Sequence, residues 1–316
     1  MQQVTRKTLG AGINLTCVTT PKFKRAVLRT MLVLPLGGED AALRACLPQV
    51  LRRGTARLND MQAFGTALDE LYGARIEAAV RKEGENLCIG FLSDCIDEAY
   101  APGADGLTAG VIGLLCDLLY NPYLQDGLFC AAYVEGERGN LIDRIAALKN
   151  DPRSWAPRRL NELMCENEDY GKSALGTIEQ AERITPETLY AAYRRALSEA
   201  QVELFYCGTM MPDEVEAHFM ATPLAQPREG TLYQPHTVVQ ARPAGDVREV
   251  VEDAEVTQGK LSLGFRTGGA SLTGGEPAAY WRPSTAARQA RSCFSTYARK
   301  SRCATMQAHS LSPPRD

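Results

Sequence analysis

The sequence predicts an α+β fold: an antiparallel sheet of five or six strands with helices packed over one face, followed by an incomplete second unit. Three observations carry this reading. Strand-like runs alternate with helical stretches, but without the strand–helix–strand rhythm of a parallel sheet. Two strand runs and a hairpin fall close together in the first third of the chain. A stretch rich in proline, glycine and polar residues at 222–247 then precedes further strand-like runs.

Taken in order, Ile13 to Val18 and Ala26 to Leu36 read as two strands joined by a turn at Thr20-Pro21-Lys22. Residues 39–53 read as a helix with Leu43, Cys46, Leu47, Val50 and Leu51 on one stripe. Asp60 to Tyr72 reads as a second helix closed by Gly73. Arg75 to Arg81 and Asn86 to Ser93 alternate apolar and polar residues, as a half-buried hairpin does, turning at Glu83-Gly84-Glu85. Helices follow at about 105–119, 129–149 and 153–166. Another starts at Thr185-Pro186-Glu187, where an N-cap threonine, a proline at the first helical position and an early acid coincide. Gln201 to Cys207 returns as a strand. The expected organisation is a first domain over 1–221, a linker over 222–247, the start of a second domain over 248–281, and a disordered tail over 282–316. Arg248 to Val256 and Lys260 to Phe265 are the second domain's expected opening strands.

Composition narrows the function classes. The 316 residues are 45% hydrophobic and 23% charged, as in a globular protein. A net charge of −3 gives no general attraction to nucleic acid or anionic membrane. Ten cysteines without a C-x-x-C pair or neighbouring histidines argue against a zinc ribbon or a disulfide framework. The longest mostly apolar run, Gly110 to Leu119, is too short to span a bilayer. With no signal peptide visible, a cytoplasmic location is expected. Gly10-Ala11-Gly12 precedes a strand rather than following one and reads as a strand-edge turn, not a dinucleotide loop. Arg52-Arg53, Arg158-Arg159 and Arg194-Arg195 read as solvated helix faces, and Leu114 to Leu119 as core.

The order of elements, with Arg53-Gly54-Thr55, Leu71-Tyr72-Gly73-Ala74, Asn150-Asp151-Pro152, Gly176-Thr177-Ile178-Glu179 and Ile184-Thr185 leading to Leu189-Tyr190, resembles one half of a pitrilysin/insulinase-family metallopeptidase. The resemblance covers about residues 8–220. Phe23-Lys24, the Leu-Tyr-Gly-Ala run and Met164-Cys165 resemble a Firmicutes-type subgroup of silent members, some named for a link to elongation factor P modification. That family carries His-x-x-Glu-His on its first helix, followed by Gly-Thr. Here the same stretch reads Ala45-Cys46-Leu47-Pro48-Gln49.

Zinc hydrolysis needs two histidines one helical turn apart, a further carboxylate, and a glutamate to handle the water proton. The resemblance assigns these positions to Ala45, Pro48 and Gln49, which supply no donor atom, no side-chain base and a poor ligand respectively. Pro48 should also kink the helix or start a new one at residues 47–48. Glu135 and Glu137 lie near the family's third ligand and read as exposed helix carboxylates. His218, His236 and His309 have no partner at i+4. No metal, no cofactor and no peptidase activity are therefore expected.

The tail carries a further signal. Reading the third base of each codon with the next two, from Arg291 to Ser310, permits KLFLNVREKKSLCYYASSL. This resembles the family's second-domain signature SKLF-x-NVREK-x-L-x-Y, so a one-base frame disruption between about Gly275 and Arg291 is expected. In that frame an arginine and a tyrosine seven residues later, which help silent subunits hold substrate, are restored. As written, neither is made, and Tyr297, Arg299 and Arg302 do not replace them. The resemblance implies a silent subunit that pairs with an active zinc peptidase paralogue and lines a chamber for an extended peptide. The rival expectations are an accessory protein without peptide processing and a truncated product without function.

Overall fold

The computed structural model describes residues 3–226, 228, 230–236, 248–253, 259–264 and, for the backbone alone, 304–308. The expected second-domain strand at Arg248 to Val256, the linker and the tail fall partly or mostly outside these residues. The chain divides into two compact units, Met1–Ile145 with Ser173–His236, and Ala146–Lys172 with Thr237–Asp316.

The first unit is built on a six-stranded sheet in the order β1-β2-β8-β3-β5-β4. Its strands are β1 (Gln3–Gly10), β2 (Ile13–Thr19), β3 (Arg25–Pro35), β4 (Arg75–Glu83), β5 (Asn86–Ile96) and β8 (Gln201–Gly208). Every pairing is antiparallel except β2 with β8. The mostly antiparallel sheet and the β4–β5 hairpin are as the sequence indicates. β2 and β3 are the two successive strands read on either side of Thr20-Pro21-Lys22, but they do not pair: β8 lies between them, and β2 forms a hairpin with β1 through Ala11-Gly12. The Gly10-Ala11-Gly12 run is thus the strand-edge turn expected of it, with Gly12 at φ 68.

Seven helices belong wholly or mainly to this unit: α1 (Ala41–Leu51), α2 (Met61–Glu70), α3 (Leu107–Tyr120), α4 (Ala131–Ala147), α6 (Ile178–Glu182), α7 (Pro186–Glu199) and α8 (Pro212–Met220). A two-residue hairpin, β6 (Leu124–Gln125) with β7 (Leu128–Phe129), leads into α4. Alternation in the strands sends Leu28, Leu32, Leu34, Ile89, Phe91, Leu204 and Tyr206 into one core with Cys46, Leu47, Leu51, Val111, Leu115 and Leu118 from the helices. Leu114 to Leu119 is core, as expected. The other sheet face holds a small cluster of Met31, Val33, Ala79 and Cys88, packed by Leu92 and Tyr233.

Tyr233 comes from the stretch read as linker. Its backbone N–H donates to the Glu199 carbonyl at 2.7 Å and its hydroxyl to Asn86 Oδ1 at 2.7 Å. Arg228 donates to the Leu197 carbonyl from Nε at 2.9 Å and to the Ala200 carbonyl at 2.6 Å, closing the C-terminal end of α7. The described residues 222–226, 228 and 230–236 therefore pack on the first unit, beyond the boundary expected at 221. A chain that must satisfy the last carbonyls of α7 and cover an apolar sheet face cannot act as a free tether.

In the second unit, α5 (Pro152–Met164) holds Glu252 through Trp155 Nε1 at 3.2 Å and Arg159 Nε at 2.5 Å. The expected strand at 248–256 is not regular over its described residues 248–253. Short β9 (Gly259–Leu263) is present and pairs in parallel with β10 (Ala304–Ala308), inside the stretch read as a disordered tail. Among the described residues, no helix is long and apolar enough to cross a membrane.

Candidate functional site

Helix α1 enters the core directly after β3. Ala41, Ala42, Ala45, Cys46, Leu47, Pro48, Val50 and Leu51 are all buried, so the helix is apolar on nearly every side. It runs unbroken from Ala41 to Leu51 with Pro48 inside, which corrects the expectation of a new helix start at residues 47–48. Pro48 lies near the C-terminal end, so one i→i−4 bond is lost while the last turn still closes through Arg52 N to the Pro48 carbonyl at 3.2 Å. Tight burial holds the ring in place.

Past α1, the Arg53-Gly54-Thr55 run turns the chain sharply. A Cβ at Gly54 would lie 2.7 Å from the Leu58 carbonyl oxygen, so only glycine permits this approach. Buried Thr55 exchanges bonds with Leu58, N–H to carbonyl at 2.7 Å and Leu58 N–H to the threonine hydroxyl at 3.1 Å. The Gly176-Thr177-Ile178-Glu179 run has an equally local cause. Gly176, at φ 72, abuts the backbone nitrogen of Ala42, and Thr177 with Gln180 makes a capping box for α6.

A concavity of about 370 Å³ opens between α1 and α4, lined by Ala45, Gln49, Glu137, Asn140, Leu141, Asp143 and Arg144. Ala45 and Gln49 lie one helical turn apart, and Glu137, Asn140 and Arg144 lie on successive turns of α4. The structure thus brings two of the singled-out positions, Ala45 and Gln49, to one hollow with Glu137. Pro48 does not line it, and neither does Glu135, whose exposed side chain pairs with Arg138 at 3.6 Å.

Glu137 corrects the sequence reading. It is a buried residue of α4, 8% exposed, and its Oε1 accepts from Arg53 Nε at 2.6 Å. Asn140 Nδ2 donates to its other oxygen at 3.1 Å, and the Arg53 guanidinium lies over the Tyr133 ring at 5.9 Å from its centre. Arg53 is not a solvated face but half of an ion pair, and Arg52 donates to the Ile76 carbonyl at 2.8 Å. A signal was present in the sequence: Val134, Glu137 and Leu141 are spaced as one helical stripe, and all three are buried.

These donors do not fit zinc. Ala45 has no ligand atom and Gln49 offers only an amide. Both oxygens of Glu137 are already bonded within the protein, and Arg144 adds positive charge to the wall. Among the described residues, no group of three or more His, Cys, Asp or Glu is placed to hold a metal. His218 and His236 belong to no such group; His236 Nδ1 lies 3.3 Å from the Tyr233 hydroxyl. His309 falls outside the described residues.

No family model matches the chain. Over 262 residues, 83% of the chain, it is 31% identical to a protein of Bacillus subtilis named as a probable inactive metalloprotease, YmfF, and spans 61% of that protein's length. In fold it is similar to a conserved protein from Enterococcus faecalis, with a TM-score of 0.67 and 24% identity over 76% of this chain and 57% of that one. It is also similar to pitrilysin, with a TM-score of 0.55 and 14% identity over 75% of this chain and 24% of that one. The fold is that of one pitrilysin-like half, and the curated relative the chain matches is one named as an inactive metalloprotease.

Proposed function

We propose that the chain is a non-catalytic pitrilysin/insulinase-like subunit. It pairs with an active zinc peptidase paralogue and lines one side of a chamber that holds an extended peptide. The observation that carries this reading is the α1–α4 concavity, where Ala45 and Gln49 sit one turn apart facing a carboxylate committed to Arg53. The described residues there offer neither a ligand set for a water-activating metal nor a base beside it.

Affinity capture from the source cell tests the pairing. Recovery of a paralogue carrying His-x-x-Glu-His is the expected outcome, and recovery of unrelated proteins alone would defeat it. Adding zinc to the isolated chain should leave model peptides intact and its melting temperature unchanged. Chelator-sensitive cleavage by the pure chain would overturn the non-catalytic reading.

A further inference from the structure

The same hollow that rejects a cation has the makings of the opposite site. Its inner carboxylate, Glu137, is neutralised by Arg53 and doubly hydrogen-bonded, so it presents little free charge. Arg144, seven residues along α4, lines the hollow, and no hydrogen bond or ion pair of its guanidinium is found among the described residues. The Gln49 amide faces it from α1, again without a partner among the described residues. A planar five-donor fork beside a neutral amide donor matches the two oxygens of a carboxylate. The remaining charge on the wall is Asp143, one residue before Arg144 and exposed. Its repulsion sets a limit on anion affinity that can be measured.

We propose that the α1–α4 concavity binds a carboxylate of an extended peptide, held by Arg144 and Gln49. The carboxylate is either an acidic side chain or the free C-terminus. The peptide as its source rests on the chamber reading above; the pocket chemistry does not.

The test uses the full chain and calorimetric titration with three unlabelled, N-acetylated short peptides of Ala, Ser and Leu: one with a free C-terminus, one amidated, and one amidated with an internal glutamate. Glutarate serves as the small probe. The expected result is that at least one carboxylate-bearing peptide binds about tenfold more tightly than the neutral amide. Arg144→Gln should abolish that preference and Arg144→Lys should keep part of it. Asp143→Asn should tighten binding, because it removes the repulsion. The two carboxylate peptides, compared with each other, identify the source.

Equal binding of all three peptides, indifference to Arg144→Gln, or weakening by Asp143→Asn would overturn the pocket while leaving the chamber reading intact. Glutarate binding lost in Arg144→Gln, with no peptide bound, would keep the pocket and sink the chamber. Failure of every probe to bind sinks the proposal. Arg144 is exposed, so its variants fold and each outcome can be read.

Discussion

Arg53 and Glu137, 84 residues apart in sequence, form an ion pair at 2.6 Å that ties the turn after α1 to the buried face of α4. The guanidinium is one-third exposed and the carboxylate one-tenth, so the pair straddles the edge of the core. Such a pair contributes little through attraction alone, because both charges lose water on folding. Its weight lies in what remains when one member is removed.

Arg53→Met leaves a buried carboxylate with only Asn140 for company. The expected loss is about 1–3 kcal/mol at neutral pH, discounted for the exposed side of the pair. Urea melts at neutral pH check this; an Arg53→Met variant as stable as the parent would contradict it. Glu137→Gln removes the charge as well as the pair and should cost less.

Asp97, 1% exposed, fastens the end of β5 to the chain just after β8, although β3 lies between those strands. Its carboxylate accepts from the backbone N–H of Thr209 at 2.8 Å, from that of Ala99 at 3.1 Å, and from the Thr209 hydroxyl. Asp97→Ala orphans these donors and should cost about 2–4 kcal/mol in chemical denaturation, with Asp97→Asn intermediate. An Ala variant as stable as the parent would show that water replaces the carboxylate freely.

These two carboxylates mark where the sequence was legible. Strand alternation in Arg75 to Ser93 and the cap at Thr185 are local patterns, and both appear where the residues place them. The insertion of β8 between β2 and β3 is a long-range choice that adjacency in sequence argues against. Glu137 was legible in principle, because its stripe with Val134 and Leu141 is a local signal, but a carboxylate carries a strong expectation of exposure. Its partner Arg53 was not, because nothing in the sequence measures a distance across 84 residues.

Gly90 of β5 lies against the backbone of β3. Its φ is 151, and a Cβ there would lie 2.1 Å from the Thr30 carbonyl oxygen on the neighbouring strand. Backbone cannot give way as a side chain can, so Gly90→Ala must part β3 from β5 in the centre of the sheet. The expected outcome is a loss of several kcal/mol, roughly that of other severe core disruptions, read as insoluble or molten protein. A soluble variant with an unchanged melting temperature would show that the two strands separate at little cost.

The buried cysteines give the chain an alkaline weakness. Burial raises the thiols of Cys17, Cys95 and Cys116 to about 11, and those of Cys46 and Cys88 to about 12. Below about pH 8.5 the folded and unfolded chains both keep these protons. Above it the unfolded chain releases them and the folded one does not, so stability is lost as pH rises towards the folded values. Each thiol weakens folding by up to about 1.4 kcal/mol per pH unit in that window, and together they rival the whole stability of an ordinary domain. Unfolding midpoints measured from pH 7 to 10.5 should fall steeply above pH 9. A Cys46→Ser, Cys88→Ala double variant should flatten that fall even if it is less stable at neutral pH. Among the described cysteines, a thiol reagent at pH 7.5 should modify half-exposed Cys207 first, and Cys17, Cys46, Cys88, Cys95 and Cys116 only as the chain unfolds. Rapid labelling of those five in the folded protein would mean that the core opens far more often than its packing implies.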